Sequence, residues 1–117
     1  MPKTFIPDTG DLILLNFCPS RGHEQSGFRP ALVLSPKTYN EKTGLAVLCP
    51  ITSHIKGYPF EVPIPGSCDT EGVILCDHLK NLSWKSRKAK PIGKIPLSTL
   101  KRVRKILSIF LSLNTES

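Results

Sequence analysis

The segment Gly22-His-Glu-Gln-Ser-Gly-Phe-Arg-Pro30 sets an imidazole, a carboxylate, a carboxamide and a guanidinium around two glycines. Glycine permits a sharply turned or mobile backbone there. Pro30 restricts Arg29 to an extended conformation, which puts the guanidinium at the opening of a strand. A guanidinium fixed in this way is a two-pronged donor for a phosphate. Taken alone, the segment reads equally well as a surface hairpin with incidental charges. A second polar cluster, Pro50-Ile-Thr-Ser-His-Ile-Lys-Gly-Tyr-Pro59, follows a buried run. The hydroxyls of Thr52 and Ser53 can bond a phosphate oxygen, and Lys56 can add charge. Taken alone, an ST-turn that satisfies its own backbone accounts for it more simply.

Short apolar runs must position these groups. Strands are expected at Asp11–Phe17, Ala31–Ser35, Leu45–Cys49, Pro59–Ile64, Gly72–Cys76 and Lys90–Ile95, divided by glycines and eleven prolines. The prolines of the fourth run make it an edge strand or a bulge. Short strands at regular spacing indicate a small barrel or sandwich. The period then changes. Leu100, Val103, Ile106, Leu107, Phe110 and Leu111 follow helical spacing, and Lys101, Arg102, Arg104 and Lys105 fill the other face. Ser98 can cap that helix. Packing on the barrel is the simpler use for it; binding a membrane or a partner groove is the alternative.

The charge is one-sided. Residues 1–79 carry six bases and eight acids, and residues 80–117 carry ten bases and one acid. No acid occurs from His78 to Thr115. Such a field favours a polyanionic partner. The chain has 117 residues, 39% of them apolar and 21% charged, so residues 1–117 read as a single folded domain. Ile106–Leu113, the longest apolar stretch, is far below the roughly 18 residues of a membrane span. The N-terminus carries Asp8 and Asp11 and has no small-residue cleavage site, which argues against a signal peptide.

Cysteines at 18, 49, 68 and 76 include no CxxC pair, and Cys76-Asp-His78 is a weak match to a metal knuckle. Cys18, Cys49 and Cys76 lie in apolar surroundings and read as buried thiols. A reduced cytoplasmic protein without metal or cofactor is expected.

In combination, these residues resemble one family. Ile6-Pro-Asp-x-Gly-Asp11, the GxEQxGxRP pattern at 22–30, Ala31–Pro36, Tyr39-Asn40, Lys42-Thr-Gly44, Thr52 and Lys56-Gly-Tyr-Pro-Phe-Glu-Val62 occur in the order seen in MazF/PemK toxin endoribonucleases, and are most similar to the MazF branch. The likeness runs from about Phe5 to Trp84 and continues weakly into the C-terminal helix. It implies an SH3-like β-barrel with a C-terminal α-helix, acting as a homodimer. It also implies metal-independent cleavage of single-stranded RNA, leaving 2′,3′-cyclic phosphate and 5′-hydroxyl ends. The implied protein partner is an antitoxin whose acidic, flexible tail covers the RNA groove. By position, the resemblance makes Arg29, Thr52 and Glu24 catalytic. It places Gln25 and Lys56 along the RNA groove and, from the PemK branch, Asp77 at the active site; Phe17, Phe28, Asp77, His78 and Lys80 are further candidates for RNA binding.

The residue types suit that chemistry. The substrate supplies its own 2′-hydroxyl nucleophile, so the protein must orient it, stabilise charge on the phosphate and move protons. Arg29 can fork to the phosphate. It is a poor general base, because arginine titrates above about 12. Thr52 can bond a phosphate oxygen but cannot act alone as a base, which leaves Glu24 and His23 as candidates. The chain departs from the family at Asp77-His78, where Asp-Gln is common; a histidine can stack on a base or donate to it where glutamine would read an edge. Phe28 can stack on a base or pack under its loop. His23 and His54 read as solvated loop residues, and Tyr58 and Trp84 as core or interface. The basic run from Lys85 to Lys94 reads as a solvated face or a phosphate contact. Two other functions share this barrel, a non-enzymatic poison of DNA gyrase and an inactive nucleic-acid-binding module, and neither requires Arg29 with Thr52.

Overall fold

Alternate residues of a strand point to opposite faces of its sheet, and in this chain both faces are covered. The computed structural model describes residues 5–18 and 27–113. In chain order the elements are β1 (Asp11–Asn16), β2 (Phe28–Val33), α1 (Lys37–Thr43), β3 (Leu45–Thr52), β4 (Glu61–Pro63), β5 (Val73–Leu75), β6 (Lys80–Ser83), β7 (Lys90–Lys94) and α2 (Leu97–Phe110). A 3₁₀ turn, Cys76–His78, joins β5 to β6. All strand pairs are antiparallel, in the order β4–β5–β3–β2–β1–β7, with β6 also paired to β3.

The continuous apolar runs follow from this double cover. Leu12, Leu32, Cys49, Ile51, Val62 and Ile74 face one way and pack with Leu100, Val103 and Leu107 of α2. Ile13, Leu15, Ala31, Val33, Ala46 and Leu48 face the other way and pack with Trp84. The expected mainly-β architecture with a C-terminal helix is therefore present. β4 lies at an edge of the sheet, where its one proline, Pro63, leaves few ladder bonds unmade. Strand β3 changes partner along its length. Leu45–Leu48 pair with β6 and Ile51–Thr52 pair with β5. Pro50, which has no N–H to satisfy, sits at the changeover.

The polar motif residues near the N-terminus are structural. Asn40 is fully buried and fully bonded. Its side-chain amide donates to the carbonyls of Pro7 (2.8 Å) and Ser35 (3.0 Å), and its Oδ1 accepts from the Ser35 hydroxyl (2.6 Å). Its own carbonyl accepts the Trp84 indole N–H at 2.9 Å. Trp84 is thus a core residue. Asp11 is buried and bonds Lys94 at 2.6 Å, which raises the lysine pKa.

The structure corrects several expectations. Helix α1 and strand β6 were not expected. The sequence marks α1 only by its flanks, Pro36 before it and Gly44 after it, the latter left-handed at φ 73°. Lys80-Asn-Leu-Ser83 is too polar to signal a strand and forms one because it pairs along β3. β1 stops at Asn16. β2 starts at Phe28 and so includes Arg29. β3 continues through Pro50 to Thr52. The fourth, fifth and last strands are shorter than expected. Ser98 does not cap α2: Pro96 occupies that position, and its carbonyl accepts from Thr99 and Leu100 N–H. Cys18 is exposed rather than buried, because it lies just beyond the end of β1. Cys49 and Cys76 are buried as expected.

Candidate functional site: a groove between β3, β5 and the 3₁₀ turn

Arg29 and Thr52 lie at the same end of the β2–β3 ladder. The β2–β3 ladder pairs Val33 with Leu48, Leu32 with Cys49 and Ala31 with Pro50. Two residues beyond the last pair stand Arg29 on β2 and Thr52 on β3. Pro30 holds Arg29 extended at this end of the strand, and its side chain is exposed. Thr52 is half-buried, and its Oγ1 accepts the His54 N–H at 3.1 Å. The ST-turn considered from the sequence is therefore real. Accepting that bond leaves the hydroxyl proton of Thr52 free to donate.

Beside Thr52 opens a groove of about 240 Å³, lined also by His54, Lys56, Tyr58, Phe60, Glu61, Leu75, Asp77 and His78. Its outer wall is the loop 53–60. Buried Glu61 shapes that loop, accepting the N–H groups of Lys56 (3.2 Å) and Gly57 (2.9 Å). The 3₁₀ turn supplies the inner wall. There the Oδ1 of Asp77 is buried without a hydrogen-bond donor among the described residues, 3.8 Å from the Nε2 of half-exposed His78. A buried carboxylate oxygen lacking a donor is costly.

Of the residues singled out from the sequence, Thr52, Lys56, Asp77 and His78 share this groove. Phe17 and Phe28 lie at the neck of the segment that follows β1. The Phe17 N–H bonds the Gly27 carbonyl at 2.8 Å, and its ring is half-buried against the Trp84 face. Phe28 is half-buried opposite Asn16. Lys80 is exposed at the start of β6, two residues past His78. Glu24, Gln25 and His23 lie outside the described residues.

Three participants were missed in the sequence. Arg87 donates from Nη1 to the carbonyls of Asn16 (3.2 Å) and Phe17 (3.0 Å), while its own carbonyl accepts the Asn16 N–H at 2.9 Å. It thus clamps the neck of the Gly22–Pro30 segment from about seventy residues away, and no local signal marks it. Tyr58 lines the groove and is not a core residue. It is half-exposed, with its ring centroid 5.2 Å from that of Phe60. Buried Glu61 is the third. The Phe60-Glu-Val62 alternation placed it on a strand but did not reveal its bonds to the loop.

The groove joins the hydroxyl of Thr52, the ammonium group of Lys56 and the carboxyl of Asp77 on a small antiparallel β-fold. Residues 8–111 match the PemK-like, MazF-like toxin family of type II toxin–antitoxin systems, and the chain belongs to that family. It is 40% identical to the endoribonuclease toxin MazF of Escherichia coli K12 over 95% of this chain and 99% of that one. It is 32% identical to the endoribonuclease PemK of Escherichia coli, covering 90% and 82% of the two chains. The crystal structure of MazF from Deinococcus radiodurans superposes with a TM-score of 0.85 at 50% identity, covering 93% of this chain and 99% of that one. A MazE–MazF complex from the same organism superposes at 0.83 with 45% identity, covering 92% and 97%.

Proposed function

We propose that the protein is the endoribonuclease toxin of a type II toxin–antitoxin pair, acting in the cytoplasm on single-stranded RNA such as mRNA and so arresting translation and growth. The observation that carries this reading is the groove shared by Thr52, Lys56, Asp77 and His78, with Arg29 at the same end of the β2–β3 ladder as Thr52. The endoribonuclease names of the curated relatives support it over a gyrase poison or an inactive binding module.

In the proposed reaction the substrate 2′-oxygen attacks the adjacent phosphorus and the P–O5′ bond breaks. The products are a 2′,3′-cyclic phosphate and a 5′-hydroxyl. Arg29 forks to the non-bridging oxygens as negative charge builds. Thr52 donates its free hydroxyl proton to one of them. Glu24 is the carboxylate assigned to the 2′ proton, and that proton or its equivalent ends on O5′. The nucleophile belongs to the substrate and the charge is met by side chains, so the reaction is assigned as metal-independent and without a cofactor.

Gln25, Phe17, Phe28, Lys56, Asp77, His78 and Lys80 are assigned to hold the RNA. Asp77 accepts from a base amino group or a sugar hydroxyl, and His78 beside it stacks or donates. The antitoxin is assigned an acidic, flexible tail that competes for the same basic groove. Homodimerisation has a surface to use: Ile109, Phe110, Leu111 and Leu113 leave the end of α2 apolar and exposed.

The test is incubation with a long single-stranded RNA in EDTA, followed by mapping of the ends. We expect cuts at one recurring short sequence with 5′-hydroxyl termini, lost in Arg29→Ala and strongly reduced in Thr52→Ala. Undiminished cutting by a folded Arg29→Ala protein would remove the assignment.

A further inference from the structure

Loop 53–60 joins β3 to β4 and walls the groove on its outer side. Residues 53–59 are exposed, and a segment with so little burial is held chiefly by its hydrogen bonds. Those bonds converge on Glu61. Its Oε1 accepts the N–H groups of Lys56 at 3.2 Å and of Gly57 at 2.9 Å, and its Oε2 accepts the Lys56 N–H as well, at 3.3 Å. The Glu61 N–H in turn donates to the Tyr58 carbonyl at 3.1 Å. Side chain and backbone of one residue thus fold the stretch Lys56–Tyr58 back over β4, with Gly57 turning in the left-handed region at φ 81°.

The carboxylate is buried, at 7% exposure, and a buried charge is costly unless it is met. Glu61 forms no ion pair among the described residues, so backbone N–H groups meet it. Lys56 is therefore restrained through its amide, while its ammonium group stays outside any ion pair among the described residues. The half-exposed Tyr58 ring rests 5.2 Å from that of Phe60, which packs on the core. Thr52 is placed by other means. It belongs to β3 and pairs with Val73 of β5.

We infer that Glu61 is a positioning residue for RNA binding, whose carboxylate locks loop 53–60 in the shape that presents the Lys56 ammonium to a phosphate and the Tyr58 ring to a base. The inference rests on the RNA-cleaving role proposed above. Every nucleotide of a single strand offers one phosphate and one aromatic face, the two features this wall can take. The lock acts on affinity and leaves the chemical step to groups held by the strands.

The experiment compares wild type with Glu61→Ala, Glu61→Asp and Glu61→Gln, all as full chains, in binding and in cleavage. The binding probe is a single-stranded DNA copy of the RNA, which lacks the 2′-hydroxyl nucleophile and is not cut. Glutamine keeps an Oε1 for both N–H groups but no charge. Aspartate keeps the charge but is one methylene too short to reach them. Glu61→Gln is expected to keep the wild-type Kd. Alanine and aspartate are expected to raise Kd and KM about tenfold, since apparent affinity falls with the fraction of protein in the binding conformation. All three should keep the wild-type kcat at saturating RNA. Gly57→Ala reaches the loop by a second route should the alanine variant fail to fold: a Cβ there meets nothing within 4 Å, so only the loop backbone is strained. It too is expected to raise Kd at unchanged kcat. Tighter binding in the glutamine and alanine variants alike would make Glu61 a repelling charge and overturn the inference. Unchanged Kd and KM in a folded alanine variant, or a fall in kcat at unchanged KM, would overturn it as well. Failure of the wild type to cut any RNA would remove the nuclease assignment, while the DNA-binding series would still decide the role of Glu61.

Discussion

Gly72 packs its backbone directly on the carbonyl of Thr52: a Cβ built on Gly72 would stand 2.3 Å from the Thr52 oxygen, and the glycine φ is +127°. β5 can therefore lie beside the Thr52 end of β3 only if residue 72 has no side chain. Gly72→Ala is expected to push the two strands apart and destabilise the protein by about 1–3 kcal/mol, the usual cost of overpacking. RNA cleavage should fall further than stability does, because Thr52 moves. Denaturant melts and cleavage rates on one sample separate the two effects. A wild-type rate in the alanine variant would show that the Thr52 position tolerates the shift.

Asp8 caps a helix twenty-nine residues away. Its Oδ1 accepts the N–H groups of Lys37, at the start of α1, and of Thr9, at 2.9 and 2.8 Å. Those two bonds, the Lys37 bond foremost, hold the carboxyl below its ordinary value of 3.8. A depressed folded pKa means stability that is present above 3.8 and lost as pH falls through the lower, folded value. Asp8→Ala should cost about 1 kcal/mol at neutral pH, as for a helix cap. Its melting temperature should converge on that of the wild type in acid. A constant gap down to the lowest pH would assign the loss to packing instead.

Arg87 holds the neck of the Gly22–Pro30 segment through two backbone carbonyls. Hydrogen bonds from a charged group are worth about 1.5–3 kcal/mol, so Arg87→Ala should lower stability within that range. The variant should also cleave RNA about tenfold more slowly, since displacing positioned groups by 1 Å costs up to about 10² in rate. Arg87→Lys can reach only one carbonyl at a time and should fall between. An alanine variant with wild-type kcat and KM would limit Arg87 to a stabilising role.

The four thiols should sort by burial. Burial pushes Cys49 up to about 12 and Cys76 up to about 11, from an ordinary 9.0. Neither forms much thiolate at pH 8, and neither is accessible. A thiol reagent at that pH should modify exposed Cys18 first, and Cys49 and Cys76 only on unfolding. The raised values also carry a sign. Their contribution to stability is complete below 9.0 and declines as pH climbs through that value toward the folded ones, because the unfolded chain ionises first. Rapid labelling of Cys49 in the native protein would show that the core opens there.

Periodicity and residue type alone determine a good deal of this protein. Leu12–Leu15, Ala31–Val33 and Leu45–Cys49 read as strands because apolar runs bounded by glycine and proline have few other uses. Leu100 to Leu107 reads as a helix because its apolar residues recur at helical spacing. The motif order from Ile6 to Val62 is enough to suggest the family and to single out Arg29 and Thr52. Tertiary structure alone decided what depends on pairs distant in the chain. Strand pairing brings Arg29 and Thr52 to the same end of one ladder. The Arg87 clamp spans about seventy residues, and the Asp8 cap spans twenty-nine. β6 exists because β3 offers it a ladder, and Asp77 is short of a donor because the fold buries one of its oxygens. Local sequence encodes local preference; which polar groups meet is settled only when strands pair and water leaves, since that sets which donors and acceptors must satisfy each other.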